Sequence, residues 1–163
     1  TWFTPSEDQG LISRSQLKAR ISGALGGRAA EQVIFGRDEI TTGAGNDLQQ
    51  VTGMARQMVT RFGMSDLGPV SLESQQGEVF LGRDWTTRSE YSESIAARID
   101  SQVREIVEEQ YQATLQMMRD HRSLMDRLVD LLIEKETIDG DEFRQIVSEY
   151  AEVPEKAQYV PSL

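Results

Sequence analysis

The chain has 163 residues, of which 38% are hydrophobic and 27% are charged, and its formal net charge is −10. This length suits a single domain with its own core. The acidic balance argues against a nucleic-acid partner, because that affinity depends on lysine and arginine neutralising phosphates. Cysteine is absent and His121 is the only histidine, which excludes disulfides and a zinc site built from histidine and cysteine alone.

The beginning of the chain predicts a loop over residues 1–12, followed by a helix. The sequence starts at Thr1 without Met or a signal-peptide pattern, so it is interpreted as part of a longer protein. No apolar run reaches the roughly 20 residues that a membrane span requires. Ser13 is the expected N-cap of the first helix, and Gly36 is its expected stop.

The first predicted helix is rich in small residues, among them Gly23, Gly26 and Gly27. Each glycine in a helix interior costs about 1 kcal/mol relative to alanine. One interpretation is that another helix or backbone, not necessarily in this chain, packs very closely here. The other is a locally weak helix that is simply buried.

Four further helices are expected, which makes the predicted fold class mainly α. The second helix covers about 44–62, and a short hairpin or irregular β segment follows within 69–82. After a loop at 83–88, a long helix covers about 89–119, with a length of roughly 45 Å. Leucines at 124–132 and apolar residues at 143–150 indicate two shorter helices. We expect residues 1–150 to form one domain and 151–163 to form a flexible tail.

Two carboxylates stand out as candidate site residues, Asp47 and Glu31. The run 41–48 (TTGAGNDL) lets the backbone turn at two glycines and places Asp47 in the first turn of the second helix. There it can stabilise the helix dipole or ligate a metal. Glu31 lies on the small-residue face of the first helix, where it either extends toward solvent or supports a polar site.

Other polar clusters have simpler interpretations. Asp139 and Glu142 fit a capping box that opens the last helix, because the ligand spacing of a calcium loop is missing. His121 lies in a charged joint between two helices and is interpreted as a solvated or capping residue. The acids of the long helix are interpreted as a solvated face, and the sequence holds no G-x-x-x-x-G-K-[ST] phosphate loop.

Several segments, in chain order, strongly resemble the FtsH family of membrane-anchored, ATP-dependent zinc metalloproteases. They are SRS (13–15), ALGGRAAE (24–31), FG (35–36), TTGAGNDL (41–48), ARQMV (55–59), RFGM (61–64) and LIEKETID (132–139). The amino-acid sequences of residues 1–11 and 153–163 resemble the photosynthetic branch of the family, from cyanobacteria or chloroplasts.

This resemblance implies the roles of the two carboxylates. Asp47 occupies the position of the family's third zinc ligand, and Glu31 matches a family glutamate close to the site, which implies support around the metal. The two zinc-binding histidines and the general-base glutamate belong to an H-E-x-x-H motif, which this sequence lacks. The chain alone is therefore expected to have no peptidase activity and no tight zinc binding.

The resemblance also implies the context of the longer protein. The small face of the first helix would receive the zinc-binding helix, and peptidase domains would pack as a homo- or hetero-hexamer beneath an ATPase ring that binds ATP and Mg²⁺. Transmembrane segments elsewhere would anchor the protein in a thylakoid or plasma membrane, with this domain on the stromal or cytoplasmic face. Its substrates would be damaged or unassembled membrane proteins, including photosystem subunits.

Two alternatives from other classes are weighed against the protease. A longer protein whose zinc-binding helix had lost its histidines would make this chain a non-catalytic helical oligomerisation module. A free-standing anion-binding domain that uses the turn at 43–47 is disfavoured, because Asp47 would repel the anion that a helix N-terminus attracts.

Overall fold

The computed structural model describes residues 11–73 and 91–150, and this part of the chain is helical, as expected from the sequence. The helices are α1 (Arg14–Phe35), α2 (Gly45–Thr60), α3 (Glu93–Asp120), α4 (Arg122–Lys135) and α5 (Gly140–Tyr150). None of the helices in these two ranges combines the length and the apolar composition that a membrane span requires. The predictions for 1–10, 83–88 and the tail at 151–163 lie outside the described residues.

Helix α1 begins and ends where the sequence predicts. The Ser13 hydroxyl accepts the backbone N–H of Gln16 at 3.2 Å, and the Gln16 side chain accepts the N–H of Ser13 at 2.8 Å, which completes a capping box. Gly36 ends the helix with φ +94°, a backbone conformation that residues with a Cβ rarely adopt.

The described residues up to Leu115 form one compact unit, whose core combines side chains from α1, α2 and α3. Ile21 and Leu25 of α1 meet Val51 and Met58 of α2 and Ile99 of α3, all almost fully buried. Each fully buried aliphatic side chain contributes about 1.5–3 kcal/mol. This hydrophobic burial fixes the packing of α2, and therefore the position of the carboxylate in its first turn.

The small residues of α1 divide between two faces. Ala24 and Ala29 face the core, whereas Gly23 and Gly27 are exposed and a Cβ built at Gly27 would have nothing within 4 Å. Among the described residues, no close neighbour explains why position 27 is a glycine rather than a residue with a Cβ. The close-packing interpretation therefore still requires an element that the described residues do not supply.

The predicted β segment at 69–82 is not confirmed. The described residues 69–73 contain no strand; instead the backbone N–H groups of Leu72 and Glu73 donate to the Thr60 carbonyl, at 2.7 and 3.3 Å. The chain therefore caps the C-terminal end of α2 rather than pairing with another strand. The remainder, 74–82, lies outside the described residues.

The residues from Gln116 onward belong to a second unit, in which α4 and α5 pack around Leu124, Leu131 and Ile146. Asp139 caps α5, since its carboxylate accepts the N–H groups of Asp141 and Glu142 at 2.9 and 2.8 Å, which lowers its pKa. Only this half of the predicted capping box forms, because the Glu142 carboxylate binds Lys135 at 2.5 Å instead. The boundaries 1–150 and 151–163 stay a prediction.

Candidate functional site

The candidate site is built on the connection between α1 and α2. After Gly36 the chain makes two short 3₁₀ turns, Arg37–Glu39 and Thr42–Ala44, and α2 begins directly at Gly45. No side chain caps α2, because the residue at its N-cap position is Ala44. The Gly45 N–H donates to the Thr42 carbonyl, but no side-chain oxygen caps the positive dipole end of α2 at this position.

Glu31 of α1 holds this connection through Thr41. Its two carboxylate oxygens accept the Thr41 hydroxyl at 2.7 Å and the Thr41 backbone N–H at 3.1 Å. The hydroxyl oxygen of Thr41 in turn accepts the N–H of Gly43 at 3.2 Å. The Thr41 hydroxyl bond, its backbone bond and the nearby Arg28 charge keep the pKa of Glu31 below its ordinary value. Glu31 is therefore an anionic brace for the turn that precedes α2.

Asp47 lies in the first turn of α2, as the sequence predicts. Its side chain is partly exposed, and it has no hydrogen-bond or ion-pair partner among the residues that the structure describes. A carboxylate at this position interacts favourably with the helix dipole without a partner. Because its oxygens remain free, the same group can also accept a cation.

The described residues offer at most part of a metal site. In the ranges 11–73 and 91–150, no three histidine, cysteine, aspartate or glutamate side chains lie close enough together to hold a metal ion. Structural and catalytic zinc sites use three or four protein ligands. The described residues therefore do not complete such a site by themselves.

The other polar candidates occupy structural positions. His121 is at the N-cap position of α4, but its side chain makes no capping hydrogen bond. Glu105, Glu108 and Glu109 of α3 are exposed, as expected for a solvated face. Both oxygens of Glu109 also bind Lys18 of α1 at 2.8 Å, and that ammonium lowers the pKa of Glu109. Glu109 therefore connects two helices of the first unit.

The sequence interpretation missed two groups of polar residues. Thr41, the partner of Glu31, could have been found because a threonine just before a glycine turn often caps it. The second group joins Arg56 to Glu73 and Tyr91, which lie 17 and 35 residues further along the chain. No local spacing pattern indicates that group.

The described residues thus form a helical domain in which Glu31 and Thr41 hold the glycine turn that leads to Asp47, a carboxylate without a partner among these residues. The model of peptidase family M41 matches residues 1–146, and the chain belongs to this family.

The chain is also similar to curated relatives from algae, plants and cyanobacteria. It is 57% identical over 157 residues to "ATP-dependent zinc metalloprotease FtsH" of Trieres chinensis, covering 96% of this chain and 24% of the relative. It is 52% identical over 162 residues to "ATP-dependent zinc metalloprotease FTSH 2, chloroplastic" of Arabidopsis thaliana, covering 99% and 23%. A Synechocystis relative, "ATP-dependent zinc metalloprotease FtsH 3", is 53% identical over 152 residues, covering 91% and 25%. The chain thus spans about a quarter of these relatives' length.

Proposed function

We propose that this chain is part of the zinc-dependent endopeptidase domain of a membrane-anchored, ATP-dependent protease, with Asp47 as one of the metal ligands. The proposal rests chiefly on one observation: at the start of α2, the Asp47 carboxylate has no partner within residues 11–73 and 91–150. The names of the relatives, which specify zinc and ATP dependence, support the same assignment.

Each residue of the connection has a separate task in this proposal. Asp47 supplies a negatively charged oxygen from the rigid start of a helix, while Glu31 fixes the turn before it through Thr41. When bound, zinc polarises the carbonyl of the peptide bond to be cleaved and activates the attacking water. The remaining ligands and the general base belong to an H-E-x-x-H helix of the longer protein.

The cellular setting is part of the same proposal: a thylakoid or plasma membrane location, with the peptidase domain on the stromal or cytoplasmic face. The chloroplastic name of one relative and the cyanobacterial source of another support a photosynthetic setting. The substrates would be damaged or unassembled membrane proteins. The subunits would assemble as a hexamer, and another domain of the longer protein would bind ATP and Mg²⁺.

The ligand assignment is tested in a longer protein that contains both an H-E-x-x-H helix and this chain. We expect Asp47→Ala to lose stoichiometric zinc, measured by atomic absorption, together with casein degradation. Glu39→Gln is the matched control, because Glu39 is another acid of the α1–α2 connection and should leave both unchanged. Full zinc content and activity in Asp47→Ala would show that the ligand assignment is wrong.

The chain alone offers a complementary test. Calorimetric titration with zinc should detect no stoichiometric submicromolar site and proteolytic assays should detect no activity, since two histidine ligands are missing from the sequence. A tight site in the isolated chain would contradict the proposal. A longer protein that assembles into rings without zinc would instead favour the oligomerisation module.

A further inference from the structure

A second polar cluster lies at the other end of α2 and involves neither Asp47 nor Glu31. Arg56 of α2 donates to one oxygen of Glu73 from Nη2 at 2.7 Å and from Nε at 3.2 Å. The Thr60 hydroxyl shares its hydrogen between the other Glu73 oxygen, at 3.0 Å, and the Arg56 carbonyl, at 2.9 Å. Thr60 is fully buried, so this carboxylate reaches into the edge of the core.

Tyr91 completes the cluster from the residues just before α3. Its hydroxyl accepts Nη2 of Arg56 at 2.8 Å and donates to Glu73 at 3.2 Å. On α3 itself, Asp100 lies 3.8 Å from Nη1 of Arg56. The Arg56 guanidinium therefore connects α2 to Glu73, which follows α2, and to Tyr91 and Asp100, which lie just before and within α3.

Apolar contacts and backbone bonds support the same arrangement. Leu72 and Tyr91 pack against the core formed by α1, α2 and α3, as does Ile95 in the first turn of α3. The backbone N–H of Leu72 donates to the Thr60 carbonyl at 2.7 Å. Glu73 and Tyr91 are 18 residues apart in sequence, yet their side chains meet at one point.

We propose that Arg56, Thr60, Glu73 and Tyr91 form a polar clasp that fastens positions 73 and 91 together against α2. The ion pair by itself would contribute little, because the Arg56 side chain is 42% and the Glu73 side chain 33% exposed. The shared hydrogen bonds make the cluster cooperative, since loss of one member leaves the others with unmatched donors or acceptors. The residues after α2 and the beginning of α3 should consequently loosen together rather than separately.

Amide hydrogen exchange of the full 163-residue chain tests this coupling. The reporters are the amide of Leu72, on the α2 side, and the amide of buried Ile99, in the second turn of α3. In Glu73→Gln and in Arg56→Met, both amides should exchange faster by about tenfold or more. The amide of Leu25 in α1 should be unchanged, which distinguishes local opening from global unfolding.

The matched control is Glu109→Gln, which removes an ion pair of similar length between α1 and α3 and should leave both reporters unchanged. If Glu73→Gln speeds up amide exchange at Leu72 but not at Ile99, or at neither residue, the clasp does not exist. If Arg56→Met unfolds the chain, the Tyr91→Phe variant provides the test of the clasp instead, because it removes only one hydroxyl group. Faster exchange at both reporters in Tyr91→Phe supports the clasp, and a change at only one of them refutes it.

Discussion

Thr41 donates both its hydroxyl and its backbone N–H to the carboxylate of Glu31, ten residues earlier in the chain. The same hydroxyl oxygen accepts the N–H of Gly43, so a single side chain connects α1 to the glycine turn before α2. The turn is therefore fixed before the chain reaches Asp47.

Thr41→Val should loosen the turn, whereas Thr41→Ser should not. Valine removes the acceptor of the Gly43 N–H and the hydroxyl donated to Glu31, while serine retains both. Loss of these two hydrogen bonds, at about 1 kcal/mol net each, predicts a roughly thirtyfold faster exchange of the Gly43 amide. Under the proposed ligand role of Asp47, loss of this support in the longer protein should weaken zinc binding by about 10–100-fold. Equal behaviour of the valine and serine variants would show that the hydroxyl is not the brace.

Glu31 should stabilise the fold in a pH-dependent way. Its pKa in the folded chain is lowered from 4.5, first by the Thr41 hydroxyl and then by the Thr41 N–H. The unfolded state therefore binds a proton more readily, and the stabilisation is present above pH 4.5 and is lost as the pH falls through the lower, folded pKa.

Glu31→Gln measures this contribution directly. The variant should be less stable than the original chain at pH 7, and the difference should shrink as the pH is lowered below 4.5. Urea unfolding at several pH values provides the comparison. A difference that stays constant down to the acid limit would mean that the Glu31 charge is not involved.

Two glycines should respond to alanine in opposite directions. Gly63 has φ +58°, and a Cβ there would lie 2.8 Å from the Cα of Pro69, so Gly63→Ala should cost about 2 kcal/mol or more. Gly53 lies inside α2, with nothing within 4 Å of a built Cβ, so Gly53→Ala should gain about 1 kcal/mol. Thermal unfolding of the two variants checks both signs, and a stable Gly63→Ala would contradict the close approach of Pro69.

Two residues of α4 provide a matched test of the second unit. Leu131 is 6% exposed and packs with Leu124 and Ile146, whereas Ile133 is 78% exposed. Leu131→Ala should cost about 2–3 kcal/mol through the cavity that it creates. Ile133→Ala should change the free energy of unfolding by no more than about 0.5 kcal/mol. Chemical denaturation followed by circular dichroism in the far ultraviolet compares them, and similar losses in both would mean that Leu131 is not a core residue.

The sequence by itself determined the order of the helices and the limits of α1, because those limits depend on contacts between near neighbours. The long helix was predicted from about 89, whereas α3 begins at Glu93. The Ser13 capping box, the positive φ at Gly36 and the Asp139 cap each involve residues no more than about one helical turn apart. Asp47 could also be placed in a first helical turn from its neighbours. The residues alone did not decide whether Asp47 interacts with the helix dipole or binds a metal. Only the family resemblance indicated the metal-ligand role.

Only the tertiary structure decided which distant groups meet. The partners of Glu31, Arg56 and Glu109 lie 10, 17 and 91 residues away, respectively. Residues 69–73 also pair with the end of α2 instead of forming the predicted strand. Such pairings follow from the way α1, α2 and α3 pack around Ile21, Met58 and Ile99. That packing sets the distances between side chains, and a spacing pattern in one chain segment holds no information about them.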